Sequence, residues 1–330
     1  MERSRRLDPS QGHGAAANRA LGVDRPEAGG AAMSTPHRLR LRGGRTRITI
    51  LLAAIAVATQ AAPKVPDGCV AAADAKAGPH GYADSIVHVK TGIELALIPA
   101  GRFMMGLDEF AIPLHEVVIE SPFYISTTEI TNAVYRKFVE AASYDGAGDT
   151  DPAYDLYLRH WRGESLMSKA DTFPVVWVSW HNATAFCKWA GLQLPAEAQW
   201  EYACRAGTTT HYSFGDERGA FAQYGWAHGW TDADSQALTN PVARKRPNPW
   251  GLYDMHGNVW EWGADDFVVS YEGAPTDGSA RIEEKLTKVL RGGSWSNNTR
   301  FWIAGSGARF NSAPGNASNN IGFRVVLPLE

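Results

Sequence analysis

At 330 residues, with 44% hydrophobic, 11% aromatic and 20% charged positions, the chain holds enough apolar material for a sizeable core, which excludes a disordered protein. A net charge of -3, with no long cationic stretch in the body, leaves no electrostatic footprint for nucleic acid. Three cysteines, Cys69, Cys187 and Cys204, cannot close a disulfide framework, although an oxidising compartment could join two of them.

The N-terminal stretch is rich in Arg, Gly and Ala. A second methionine, Met33, precedes a basic segment with Arg38, Arg40, Arg42, Arg45 and Arg47, and Ile48 to Ala58 is almost wholly aliphatic. Thr59 to Pro63 adds small residues suited to cleavage near Ala61. A charged region, a short apolar run and a small-residue site, in that order, predict a signal peptide, with translation starting at Met1 or Met33. The run falls short of the roughly 20 apolar residues of a membrane span, so an uncleaved anchor is the alternative. Either way the chain is expected to be exported, to the periplasm or the exterior, and to meet a membrane only through this segment. The predicted organisation is a leader over 1–62, a linker and first strand over 63–92, and one domain over 93–328.

Pro63 to Asp84, rich in Ala, Gly and Asp, reads as the linker. Val87 and Val89 would then share one face of a short strand, with His88 and Lys90 on the other. Glu94 to Pro99, Arg102 to Gly106, Glu116 to Glu120 and Pro122 to Ser126 follow as short strands that look like hairpins. Thr131 caps a helix whose apolar face is Val134, Tyr135, Phe138 and Ala141. A second helix starts near Ser179, presents Ala183, Phe186, Cys187 and Ala190, and stops at Gly191. A third follows Leu194-Pro195, with proline at its first position and Glu197 in its first turn, and ends before Gly207. Beyond it helical periodicity vanishes, and short apolar pieces alternate with Gly, Pro and Asn.

Five strings are more specific than any periodicity: GRFMMG at 101–106, LPAEAQWEYACRAG at 194–207, NPWGLYDMHGNVWEW at 248–262, RGGSW at 291–295 and IGFRVV at 321–326. Together they resemble the formylglycine-generating enzyme, or sulfatase-modifying factor, family over roughly residues 93–328. The resemblance implies an α+β fold, the formylglycine-generating-enzyme fold, which is C-type-lectin-like and has little regular secondary structure for its size. Most of the tryptophans, among them Trp177, Trp200, Trp260 and Trp262, are expected to be core pillars, because large aromatics carry much of the burial where helices and sheets are scarce. Gly292-Gly293 fits a tight turn at positive φ.

Enzymes of this family oxidise a sulfatase cysteine to formylglycine with copper held between two cysteines shortly after the GGS motif, a soft donor pair suited to cuprous ion. Laid on that pattern, the first cysteine position is Asn297 and the second Trp302. No cysteine follows Cys204, so a displaced pair is excluded as well. Copper is therefore not expected, and whether the chain is an enzyme stays open. The resemblance also implies a structural calcium, with Asp254 and Glu261 as side-chain ligands and Gly257 and Val259 as carbonyl ligands, a donor set suited to a hard cation. The same two carboxylates could instead cap turns or pair with arginines. A second calcium position of the family, before Pro241, has no clear match. Cys187 and Cys204 match positions that are bridged in some relatives to partners corresponding to Val325 and, approximately, Ser306. Here they read as buried thiols, with a mutual disulfide as the alternative.

His181 and His256 could act as acid, base or ligand, but no histidine pair has metal-ligand spacing. Around the former catalytic position, Ser294, Trp295, Asn297, Arg300, Trp302 and Arg309 gather amides, aromatics and guanidiniums suited to a peptide, protein, glycan or small-molecule ligand. Two function classes follow. One is a non-catalytic module binding through the old substrate groove. The other is an enzyme of sulfatase or natural-product maturation using non-cysteine chemistry, as cysteine-lacking periplasmic relatives in siderophore maturation suggest.

Overall fold

The computed structural model describes residues 62–107, 111–146, 148–149, 156–228, 238–297 and 301–329. The chain divides into two units, Met1–Ala58 and Thr59–Glu330, and all described residues belong to the second. The leader expected over 1–62 therefore lies almost wholly outside them. Among the described residues no helix is long and apolar enough to cross a membrane.

In chain order the elements are β1 (Cys69–Ala71), β2 (Ser85–His88), β3 (Glu94–Ile98), β4 (Gly101–Leu107), β5 (Ala111–Ile119) and β6 (Phe123–Ser126). Then come α1 (Asn132–Ala142), α2 (Trp180–Ala190) and α3 (Glu197–Arg205), followed by β7 (Trp260–Asp266), β8 (Lys288–Arg291), β9 (Arg309–Ser312), β10 (Ile321–Gly322) and β11 (Val326–Pro328). An antiparallel sheet runs β1-β2-β3-β6-β11, a second sheet runs β10-β7-β8-β9 with β10 parallel to β7, and β4-β5 forms a hairpin. The simple hairpins expected throughout are kept by β2-β3 and by β4-β5. β6 skips the second of these to pair with β3, and β11 returns from the C-terminus to pair with β6, a long-range closure that local patterning does not encode.

Two further expectations are corrected. The segment read as a linker is folded: β1 pairs with β2, and Lys64 exchanges backbone hydrogen bonds with Gly81 (2.7 Å) and Ala83 (3.0 Å). Its small residues contribute through the backbone ladder, since Val70 is 52% exposed. In β2 the faces are reversed, with Ile86 and His88 buried and Val89 exposed. His88 tolerates this because its Nδ1 meets the buried Thr91 Oγ1 at 2.8 Å, and burial and then Lys90 hold its pKa below the ordinary value.

The helix signals hold. Thr131 accepts from the Val134 N–H, Ser179 forms a capping box with Asn182, and Gly191 ends α2 in the left-handed conformation. α3 starts later than expected, at Glu197, so Pro195 precedes the helix and Ala196 is its cap. Ala183, Phe186, Cys187 and Ala190 all face inward, and Tyr135 and Phe138 do so on α1, whereas Ala141 is exposed. The Tyr135 and Phe186 rings stack at 5.8 Å and Phe186 meets Phe323 edge-on at 5.4 Å, which joins both helices to the C-terminal segment. Of the tryptophans, Trp200, Trp260 and Trp262 are core pillars, while Trp177 and Trp295 are half-buried.

Candidate functional site

The loop after β8 carries Asn297, where the motif pattern leads one to expect the first member of a copper-binding pair. Gly292 (φ 91°) and Gly293 (φ 78°) make the expected tight turn. A Cβ on Gly293 would lie 3.0 Å from the Ala304 Cβ, so the turn admits little else. Beyond it the Ser294 N–H donates to Asn297 Oδ1 (2.6 Å), the Ser294 hydroxyl donates to the same oxygen (3.0 Å), and the Asn297 N–H donates to the Ser294 carbonyl (3.1 Å). Asn297 thus clamps its own loop, the role a short amide side chain commonly takes in a turn. Ser294 is fully buried and Ser296 is exposed. Asn320 Nδ2 donates to Ser296 Oγ (2.9 Å), and the Trp295 indole N–H donates to the Asn319 carbonyl (3.3 Å). The cysteines sit elsewhere, Cys69 on β1, Cys187 on α2 and Cys204 on α3, each a free thiol. The residues present do not fit a bis-thiolate copper centre. Free thiols at 187 and 204 also exclude the disulfide considered between them.

Arg309 does not join this loop. Its Nε and Nη2 donate to Glu197 Oε1 (2.8 Å) and Oε2 (2.6 Å), its Nη1 donates to the Val268 carbonyl (2.8 Å), and its guanidinium lies 4.1 Å from the Tyr271 ring centre. The assignment of Arg309 to a ligand groove is therefore corrected: its side chain is 6% exposed and satisfied by the start of α3. Along the same helix Glu201 pairs with Arg291 and, at 2.9 Å, with Arg205 Nε. Arg300 lies outside the described residues. Trp302 falls in the 3-10 turn 301–304, and its side chain is likewise outside them.

Behind the loop lies a buried acidic cluster. Glu129, Asp254 and Glu261 are each 1% exposed, against one guanidinium, that of Arg324, which is fully buried. Arg324 Nε and Nη2 donate to Glu261 Oε2 (2.6 Å) and Oε1 (2.7 Å), and the Trp200 indole N–H also donates to Oε2 (2.6 Å). Glu129 accepts from Asn258 Nδ2 (2.8 Å) and the Val259 N–H (3.2 Å). Burial, then Asp254 and Glu261, push the Glu129 pKa well up. Burial is likewise the largest cause raising Asp254 to about 6.

A hard cation fits this donor set. Asp254 Oδ2 accepts from the Ala243 N–H (2.8 Å), and the buried Oδ1 has no hydrogen bond among the described residues. Glu261 Oε1 keeps a lone-pair site beyond the Arg324 fork. The Gly257 position admits glycine alone, because a Cβ there would meet the Trp226 carbonyl oxygen at 2.0 Å. Among the described residues no three acidic, histidine or cysteine side chains converge at metal distance, so a calcium here would need carbonyls beside the two carboxylates.

His256 is a satisfied core histidine. The Ser213 N–H donates to its Nε2 (3.2 Å), so Nδ1 carries the proton and donates to the Ala304 carbonyl (2.8 Å). His181 is exposed on α2. The sequence reading missed a cleft of about 510 Å³ between the β4-β5 hairpin and the loop after α3, lined by Phe103, Met104, Leu107, Tyr202 and Thr210. The Gly207–Thr210 run of small residues was its one available signal.

Residues 86–329 match the family described as the sulfatase-modifying factor enzyme 1-like domain. The chain is 34% identical to the formylglycine-generating enzyme of Streptomyces coelicolor, over 69% of this chain and 87% of that protein. It is 31% identical to the inactive C-alpha-formylglycine-generating enzyme 2 of Bos taurus, over 71% and 88%. The PvdO structure from Pseudomonas aeruginosa superposes with a TM-score of 0.64 at 31% identity, covering 74% of this chain and 98% of that one. Motif order, α+β architecture and these likenesses agree: the chain belongs to the sulfatase-modifying factor family of formylglycine-generating enzymes.

Proposed function

We propose that this chain is an exported family domain that does not perform the copper and cysteine oxidation and instead binds a peptide, glycan or small molecule at the former substrate groove. The observation that carries this reading is the Asn297 clamp: the residue at the first copper-cysteine position spends its amide oxygen on Ser294, and no cysteine follows Cys204. Export rests on the basic segment and the apolar run Ile48 to Ala58. A structural calcium held by Asp254, Glu261 and the carbonyls of Gly257 and Val259 would balance the acidic cluster and fix the loop beneath the groove, since the Trp295 N–H donates to the Asn258 carbonyl (2.8 Å).

The test incubates the purified protein with copper, a thiol reductant and a sulfatase-motif peptide. No conversion of the peptide thiol to aldehyde is expected, and conversion would overturn the reading. A second reading, a maturation enzyme using other chemistry, draws on the 34% identity to the formylglycine-generating enzyme of Streptomyces coelicolor. Turnover of the same peptide without copper would support it.

A further inference from the structure

We propose that the groove's ligand is an uncharged saccharide, bound on the patch formed by Trp295, Ser296, Asn319 and Asn320. The proposal rests on the recognition reading above and names its ligand class. A pyranose presents two surfaces at once: an apolar C–H face that packs on aromatic rings, and an edge of hydroxyls that each donate and accept. The patch offers the complement. Trp295 is half-buried and held in place by its indole N–H on the Asn319 carbonyl, which leaves ring surface at the protein boundary. Beside it the exposed Ser296 hydroxyl accepts from Asn320 Nδ2 (2.9 Å) and donates to Ser294 Oγ (3.0 Å), whose own proton is on Asn297, so one Ser296 lone pair remains to accept from a ligand hydroxyl. Asn320 Oδ1 accepts from Ser318 Oγ (2.8 Å), which fixes the orientation of the amide. Asn319 Nδ2 has no partner among the described residues, so a half-buried donor remains unspent.

Charge argues in the same direction. The four residues of the patch, Trp295, Ser296, Asn319 and Asn320, carry no charge. An acidic or basic peptide would find no free counter-charge among them, whereas amides and hydroxyls suit neutral hydroxyls.

The test is isothermal titration of the full chain with linear oligomers of glucose, N-acetylglucosamine and xylose, beside a sulfatase-motif peptide. At least one saccharide is expected to bind, with affinity changing less than about twofold between about 0.05 and 0.5 M salt, because no charge pair is formed. Trp295→Ala is expected to weaken binding at least about tenfold. Ser296→Tyr, at an exposed position, should abolish binding while lowering the unfolding midpoint by no more than a few degrees, about the loss of exposed hydrogen bonds, which separates loss of binding from loss of fold. If the peptide binds with the same variant sensitivity and no saccharide does, the recognition reading stands and the saccharide assignment is overturned. A ligand that binds only when it carries carboxylate or sulfate groups overturns it too. If nothing binds at about millimolar concentration, both readings fall.

Discussion

Replacing Arg324 by methionine removes the one cationic side chain that, among the described residues, faces Glu129, Asp254 and Glu261. The guanidinium makes a two-pronged bond to Glu261 and also donates to the carbonyls of Ser126 and Tyr253, both at 3.0 Å. Breaking a buried ion pair by removing one partner costs about 3–5 kcal/mol, and each abandoned buried carbonyl adds about 1 kcal/mol. The total, about 5 kcal/mol or more, is comparable to the whole stability of many domains. For a domain of this size it corresponds to an unfolding midpoint lower by about 10–20 °C. Denaturant unfolding followed by tryptophan fluorescence measures the loss directly. A second signature guards against a trivial packing defect: the acidic cluster without its arginine should hold protons more tightly, so the variant should recover part of its deficit as pH falls. A loss below about 1 kcal/mol, with no pH dependence of the deficit, would refute the argument that Arg324 balances this cluster.

Calcium should raise the unfolding midpoint of the wild type by several degrees at about a hundredfold excess over its dissociation constant, and should do nothing for Asp254→Ala. His160 gives a pH prediction. Burial lowers its pKa to about 3, its Nε2 donates to Asn132 Oδ1 (2.9 Å), and its buried Nδ1 has no partner among the described residues. Because the folded value lies below the unfolded one, its contribution to stability is full above about pH 6.5 and is lost as pH falls toward 3. Between about pH 7 and 4.5 the wild type should lose about 2–3 kcal/mol more than His160→Gln, measured by urea unfolding at both values. Thiol reagents should reach only Cys69 in the folded protein. Cys187 and Cys204 are buried, burial raises the pKa of both, and Cys204 stands at about 12, so three thiols should react only after unfolding. Arg309→Met should destabilise by about 3–5 kcal/mol through the stranded Glu197. It should leave any groove ligand bound, since Arg309 is turned away from the loop.

The helices were legible because their signals are local. Thr131, Ser179 and Gly191 act within one turn, and the spacing of Phe186, Cys187 and Ala190 reports a buried face directly. The strands were less so. His88 faces inward because of a hydrogen bond to Thr91, a partner that alternation of polarity does not register. The pairing of β6 with β3 and β11 depends on contacts across most of the chain. At the site, the motif strings located the loop and the acidic cluster. The partners were hidden, because a sequence lists Arg309, Glu197 and Arg324 without saying which carboxylate each guanidinium will meet. Glu129 was overlooked for that reason: it stands far from DMHGNVWE in sequence and beside it in space. Asn297 was read as a possible ligand contact, whereas a short amide two positions after a tryptophan can equally close on its own backbone, as it does here.

The ion pairs along α3 separate two properties that a catalytic protein usually has to satisfy together. Glu197 and Glu201 tie the helix to Arg309 on β9 and Arg291 on β8, and none of these four side chains belongs to the segment from Trp295 to Trp302. Cohesion of the two strands is thus secured from behind, by residues that do not participate in whatever the loop touches. Substitutions in the loop can therefore change what it touches without reopening the question of how the sheet is held.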